Sequence, residues 1–199
     1  MTPALRAVAD YLSAFDRPWG FAGGWAIDLF RGRISREHSD IEVAVFRGDL
    51  DRLARLWSDA EFVVMVDHAP QHWDQRSAIV APAHELHVRI GGLSFELLLN
   101  ERDQSDWCYR RDLSIRMPMA RVFYTTTSGL PALAPEVALL FKSKATRPKD
   151  ELDFACVAAL LMPETRIWLR DAVSKSLPAH PWLRRLAVDE SKLPARTRG

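Results

Sequence analysis

The chain has 199 residues, enough for one domain with an appendage or two small ones. Its formal net charge is +1, so bulk charge implies no nucleic-acid partner. Hydrophobic residues make up 48% and charged residues 27%, and the two cysteines are too few for a disulfide framework.

The first fifteen residues carry Asp10 and no continuous apolar run, which argues against a secretory leader. The longest apolar stretch, around Ala155 to Met162, is too short to span a bilayer. These features fit a cytoplasmic enzyme and, equally well, a soluble domain with no activity of its own. Leu5, Val8, Leu12 and Phe15 recur at helical spacing over residues 4–15, with Pro18 as a stop. Gly23-Gly24 precedes an apolar-periodic run, Trp25, Ile27, Leu29 and Phe30, that predicts a helix over 24–31 ending at Gly32. A glycine turn opening a helix leaves backbone N–H groups open to a phosphate. Residues 40–47 alternate with period two and predict a strand. Asp40 and Glu42 then share one face, about 7 Å apart, where two carboxylates can share hard cations.

Asp49 is placed to cap a helix carrying Leu50, Leu53, Leu56 and Trp57. Strands are expected at 62–66, 76–80, 85–90, 93–100 and 121–126, with a polar loop at 68–75 and a hairpin turn at Gly91-Gly92. Trp107, Tyr109, Arg110, Arg111 and Asp112 read as a charged-aromatic surface loop or as a segment that helps hold a base or acceptor. From Pro135 the pattern is helical, with helices expected from there, over 150–161 and 164–174, and a turn at 182–187. The expected domains are residues 1–130 and 131–199. The basic tail from Ser191 is expected to fray.

Two further stretches carry charge where chemistry could use it. Glu96 is a lone acid in the apolar run from Leu93 to Leu99, and a buried carboxylate needs a partner, a metal or a cleft. Glu101 and Asp103 lie close by as weaker candidates. Lys142 and Lys144 end one helix, where the dipole alone favours cations, and Asp150 and Asp153 read as cap and pairing residues. Arg36 and His38 sit in the loop before the Asp40 strand. His68, His72, His84 and His87 form no convincing zinc set.

The order G-G-W-A-I-D, G-R, then R-x-H-x-D-I-E-V resembles the nucleotidyltransferase superfamily, and within it the small aminoglycoside and lincosamide nucleotidyltransferases. The resemblance covers residues 20–47 best and extends loosely to about 155. It implies an α+β fold, a small mixed β-sheet with helices on one side followed by a helical domain that closes the substrate cleft. It implies Mg²⁺ on Asp40 and Glu42, with Glu96 matching a third acid that completes the metal site or deprotonates the acceptor hydroxyl. It implies phosphate contacts from Gly23 and Gly24 and from Lys142 or Lys144; Arg36 and His38 read first as a solvated loop, with a phosphate contact open to either and a hydrogen bond to a metal ligand equally open to His38. The reaction implied is transfer of a nucleoside monophosphate, AMP from ATP, to a hydroxyl of a small acceptor such as an aminoglycoside, as in antibiotic resistance. Glu42 and Glu96 stand where the family has Asp. That departure keeps open a non-catalytic binding module of the same fold. A nucleotidyltransferase acting on RNA is the third reading.

Overall fold

The computed structural model describes residues 2–67 and 69–187; His68 and the tail from Ser191 lie outside the described residues. The chain divides into two compact units, Met1–Ala134 and Pro135–Gly199. No helix among the described residues is long and apolar enough to cross a membrane.

The first unit runs α1 (Pro3–Leu12), β1 (Gly20–Phe21), α2 (Gly23–Arg31), β2 (Glu42–Phe46), α3 (Leu50–Leu56), β3 (Glu61–Val66), β4 (Ala69–His72), β5 (Glu85–Ile90) and β6 (Leu93–Asp103). It continues with β7 (Asp106–Tyr109), β8 (Asp112–Pro118), β9 (Phe123–Thr125) and β10 (Pro131–Leu133). The sheet is mixed. Its order is β4-β3-β5-β6-β2-β1-β10-β9, and β7 and β8 branch from the far end of β6. β2 runs parallel to β6 and β1 parallel to β10, while the other pairs are antiparallel.

The period-two pattern sorts the two faces. Val43 and Val45, Phe95, Leu97 and Leu99, Leu86, Val88 and Ile90, and Phe62 and Val64 share one buried cluster. Leu5, Val8 and Leu12 of α1 and Leu50 and Leu53 of α3 complete it. Each such side chain contributes roughly 1.5–3 kcal/mol by leaving water. The alternate residues Glu42, Glu96, Glu85 and His87 therefore point to the other face. A one-residue slip would drive those four charged or polar groups into the core, so the register is strongly specified.

Several elements differ from the sequence expectation. Residues 76–80 are not a strand. The Asp74 carboxylate accepts the backbone N–H groups of Arg76 and Ser77 and the Ser77 hydroxyl, so local bonds replace a ladder. The expected loop at 68–75 contains β4, an edge strand where Pro70 loses no ladder bond that the sheet needs. Residues 107–112 are not a surface loop but part of the β7–β8 hairpin, because Trp107 is buried and donates to the Asn100 side chain at 2.9 Å. Asp49 precedes α3 without capping it by its side chain. Its carboxylate accepts both terminal nitrogens of Arg102, at 2.9 and 2.8 Å. β2 starts at Glu42 rather than Asp40.

The second unit holds α4 (Pro135–Ser143), α5 (Pro148–Val157), α6 (Pro163–Ser176) and α7 (Trp182–Arg185). The first three begin on proline, which has no N–H to leave unpaired at that position. This starts α5 and α6 slightly before the expected Asp150 and Glu164. Phe154 and Trp182 stack with centroids 4.1 Å apart. Lys142 is buried, with its ammonium 3.0 Å from Asp150 and 2.9 Å from Asp153. Burial alone would raise the Asp150 carboxyl, but bonds from Arg147 and Lys142 bring it down to about 2. Lys142→Met should cost roughly 3–5 kcal/mol in urea unfolding, because it removes the cation shared by two buried carboxylates and leaves Asp150 only Arg147. A loss below about 1 kcal/mol would show that the carboxylates find water instead.

Candidate active site

The site is built where β1, α2, β2 and β6 meet. β1 pairs with β2 through Gly20–Ala44 and Phe21–Val43, and the Ala22 N–H continues that ladder to the Glu42 carbonyl at 2.8 Å. The chain then turns into α2 at Gly23, whose φ is +56°. A side chain at Gly23 would overlap the Glu42 carboxylate, and one at Gly24 would overlap Arg36 and His38. The two glycines are thus a cradle into which three polar side chains reach. Ala22, the residue capping α2, makes no side-chain cap bond.

β2 and β6 are in parallel register with Glu42 directly opposite Glu96. Both project from the face away from the core. Asp40 lies just before the strand and is exposed. Its carbonyl accepts the Trp25 indole N–H at 3.0 Å, and the next carbonyl, of Ile41, accepts the Glu96 N–H at 2.8 Å. The Ser39 hydroxyl bonds to the Asp40 carboxylate. On its other side Glu96 is registered with His87 of β5. The His87 ring lies 3.0 Å from Glu85 and 3.8 Å from Glu96. Burial first and then Glu85 push the Glu96 carboxyl up to about 7. Asp40 and Glu42 add to that rise and His87 opposes it.

Asp28, which the sequence analysis did not single out, organises the loop between α2 and β2. Asp28 is buried in α2 and accepts the Ser35 N–H at 3.1 Å and the Ser35 hydroxyl at 2.5 Å. Its Oδ2 also lies 2.7 Å from His38 Nε2. The His38 ring packs on Trp25 with centroids 4.2 Å apart. His38 is therefore held by Asp28 and Trp25, with its opposite edge toward Gly24. A lone acid in a mostly apolar helix was the available signal for Asp28, by the same reasoning that marked Glu96. His87 and Glu85 had no such signal, because only the strand pairing brings them to Glu96.

The remaining candidates have other partners. Glu101 accepts Arg47 at 2.8 and 2.6 Å, and Asp103 accepts Arg116 at 2.8 Å. Burial, and then Arg111, lower the Arg110 guanidinium to about 10. Lys142 serves Asp150 and Asp153 within the second unit, whereas Lys144 is exposed.

Glu42 and Glu96 bring two carboxylates to one face beside a glycine turn, with Asp40 exposed just before β2. Oxygen-only donors suit a hard divalent cation, and the Glu96 carboxyl, raised by burial and then by Glu85, Asp40 and Glu42, is one whose ionised form a cation would favour. The residues present fit Mg²⁺. Among the described residues, the group whose ligand atoms lie within 4.8 Å of one another is Glu85, His87 and Glu96, without Asp40 or Glu42.

A mixed sheet with a glycine turn and strand carboxylates on one face defines a nucleotidyltransferase. The model of the aminoglycoside-2''-adenylyltransferase family matches residues 4–157, and the chain belongs to that family. No curated protein sequence matches it. Among solved structures it is similar to the antibiotic-resistance factor ANT(2'')-Ia in solution, with a TM-score of 0.56 at 16% identity, covering 88% of this chain and 92% of that one. It is also similar to the lincomycin-bound lincosamide adenylyltransferase LnuA, with a TM-score of 0.56 at 16% identity, covering 81% and 98%. A nucleotidyltransferase-like protein from Paracoccidioides brasiliensis matches with a TM-score of 0.51 at 14% identity, covering 93% and 92%. At these identities the structures share the fold.

The Glu96 carboxyl makes stability depend on pH. Its pKa in the folded chain lies above the ordinary value, so the folded chain binds the proton more tightly than the unfolded one. Ion-free protein should therefore lose stability as pH rises from about 4.5 through about 7. Glu96→Gln should flatten that loss, read as melting temperature against pH in chelator. Equal slopes would contradict the crowding of carboxylates around Glu96.

Proposed function

We propose that the protein transfers a nucleoside monophosphate, AMP from ATP, to a hydroxyl of a small antibiotic-like acceptor. The observation that carries this reading is the registered pair Glu42–Glu96, with Asp40 beside it, facing the Gly23-Gly24 turn. The cytoplasm, where ATP is kept, is the compartment such a reaction needs.

Asp40 and Glu42 would hold Mg²⁺, which when bound supplies charge neutralisation to the triphosphate and to the pentavalent transition state. The protein's own residues do the rest. The N–H groups at the start of α2 and the Arg36 guanidinium bind phosphate oxygens. His38, held by Asp28 and Trp25, keeps Arg36 and the turn in place rather than offering its Nε2 to phosphate. Of the two lysines read as phosphate contacts, Lys142 is held by two carboxylates of its own unit. Glu96 accepts the proton of the acceptor hydroxyl on a carboxylate oxygen as that hydroxyl attacks the α-phosphorus. Pyrophosphate leaves from the opposite side. A carboxyl near pH 7 suits a general base at neutral pH. Being Glu, it reaches about 1.5 Å further than Asp, so the acceptor sits further from the sheet.

Pyrophosphate release from ATP across a panel of hydroxylated amines tests the reading. Asp40→Ala should abolish Mg²⁺-dependent ATP binding in calorimetry. Glu96→Gln should keep that binding and lower turnover by roughly a hundredfold or more. Triphosphate binding without release under any acceptor would instead identify a non-catalytic module of the same fold.

A further inference from the structure

Three side chains of ligand type meet on the open face of the β5–β6 hairpin. Gly91 and Gly92, with φ of +54° and +80°, make a two-residue turn whose positive φ values match the twist of the strands. The turn and the apolar core face, with Leu86, Val88, Phe95 and Leu97, together pin the register. His87 then stands directly opposite Glu96, and Glu85, two residues earlier, shares their face. One ligand atom from each of the three lies within 4.8 Å of the others. Strands hold such a group more precisely than loops do.

The spacing inside the group leaves room for an ion. His87 Nε2 lies 3.0 Å from the Glu85 carboxylate, a hydrogen bond. His87 Nδ1 lies 3.8 Å from the Glu96 carboxylate, too far for one. Two ligands of one tetrahedral zinc, each about 2.0–2.1 Å from the metal, stand roughly 3.3 Å apart. The Glu96 side chain is only 18% exposed, yet among the described residues no donor hydrogen-bonds its carboxylate. Glu85, Asp40 and Glu42 crowd it with negative charge, and His87 opposes them. Glu85 and His87 remain open to solvent, so an ion can reach the group.

The donor chemistry selects the metal. An imidazole nitrogen with two carboxylate oxygens suits zinc, whereas Mg²⁺ favours oxygen alone in octahedral geometry. Three protein ligands leave a fourth position for water. The set draws on β5 and on a nitrogen, and so differs from Asp40 and Glu42. We propose that Glu85, His87 and Glu96 form a site for a zinc-class transition metal, and that the bound ion silences transfer by occupying the Glu96 oxygen that would accept the acceptor's proton. The silencing rests on the transfer reading above, while the metal site stands without it. The two cations are sorted by donor type, Mg²⁺ to the oxygens beside the glycine turn and zinc to the hairpin.

The probe is Zn²⁺ added to chelator-stripped, tag-free protein and followed by calorimetry. His87→Gln should weaken zinc by about tenfold or more, and Glu85→Gln, which removes a different ligand, should do the same. His72→Gln, at an exposed histidine of β4, should bind as the wild type does. Zinc-edge X-ray absorption should show nitrogen and oxygen neighbours at about 2.0–2.2 Å and no sulfur. With ATP and Mg²⁺ present, zinc should lower wild-type turnover by roughly a hundredfold, the worth of a general base, and should slow His87→Gln far less relative to its own zinc-free rate. The site is overturned if the wild type binds zinc no better than both variants, if equimolar Mg²⁺ displaces the zinc, or if sulfur is a ligand. The silencing is overturned if zinc leaves wild-type turnover unchanged or slows His87→Gln equally. If no acceptor is turned over with any metal, while zinc binding still depends on His87 and Glu85, the transfer reading falls and the metal site is upheld.

Discussion

The parallel register of β2 against β6 is the constraint on which the site depends. Val43 and Val45 meet Leu97 and Leu99 on the core face. That apolar match fixes which residues lie opposite each other on the other face, and Glu42 falls opposite Glu96. Two carboxylates side by side on a half-buried surface repel each other, and the Glu96 carboxyl is raised first by burial and by Glu85, with Asp40 and Glu42 adding to it. Hydrophobic burial over many residues outweighs this local cost. The core thereby holds a cluster of acids that would not assemble by itself.

The glycine turn is coupled to the same register. The Ala22 N–H bonds the Glu42 carbonyl, so the residue that presents a carboxylate also positions the start of α2. Asp28, near the far end of that helix, accepts bonds from Ser35 and His38 and folds the intervening loop back onto the turn. This brings Arg36 to Gly24, at the positive end of the helix.

Much of this was legible in the chain. The period-two pattern after Asp40, the glycines before a helical run and the lone acid at Glu96 each follow from local spacing, and the strand pairing brings Glu42, Glu96 and the Gly23 turn together. What local spacing did not reveal is what strand pairing creates. His87 and Glu85 come to Glu96 through the β5–β6 hairpin. Trp107 is buried because Asn100, on the preceding strand, accepts its N–H. Asp49 looked like a helix cap but found Arg102, distant in sequence, which offers two charge-assisted bonds where a cap offers weaker neutral ones. The stretch at 76–80 looked like a strand until the Asp74 side chain took its N–H groups. In each case a long-range or side-chain partner overrode the local pattern.

The central claim is that Asp40 and Glu42, facing the Gly23-Gly24 turn, form the metal and triphosphate site. A crystal structure with Mn²⁺ and an ATP analogue that cannot be cleaved at the α-phosphorus tests it most directly. The account predicts anomalous density at about 2.0–2.2 Å from carboxylate oxygens of Asp40 and Glu42, with phosphate oxygens on the N–H groups of the turn. Manganese held instead by Glu85, His87 and Glu96, with the triphosphate away from Gly23, would contradict it.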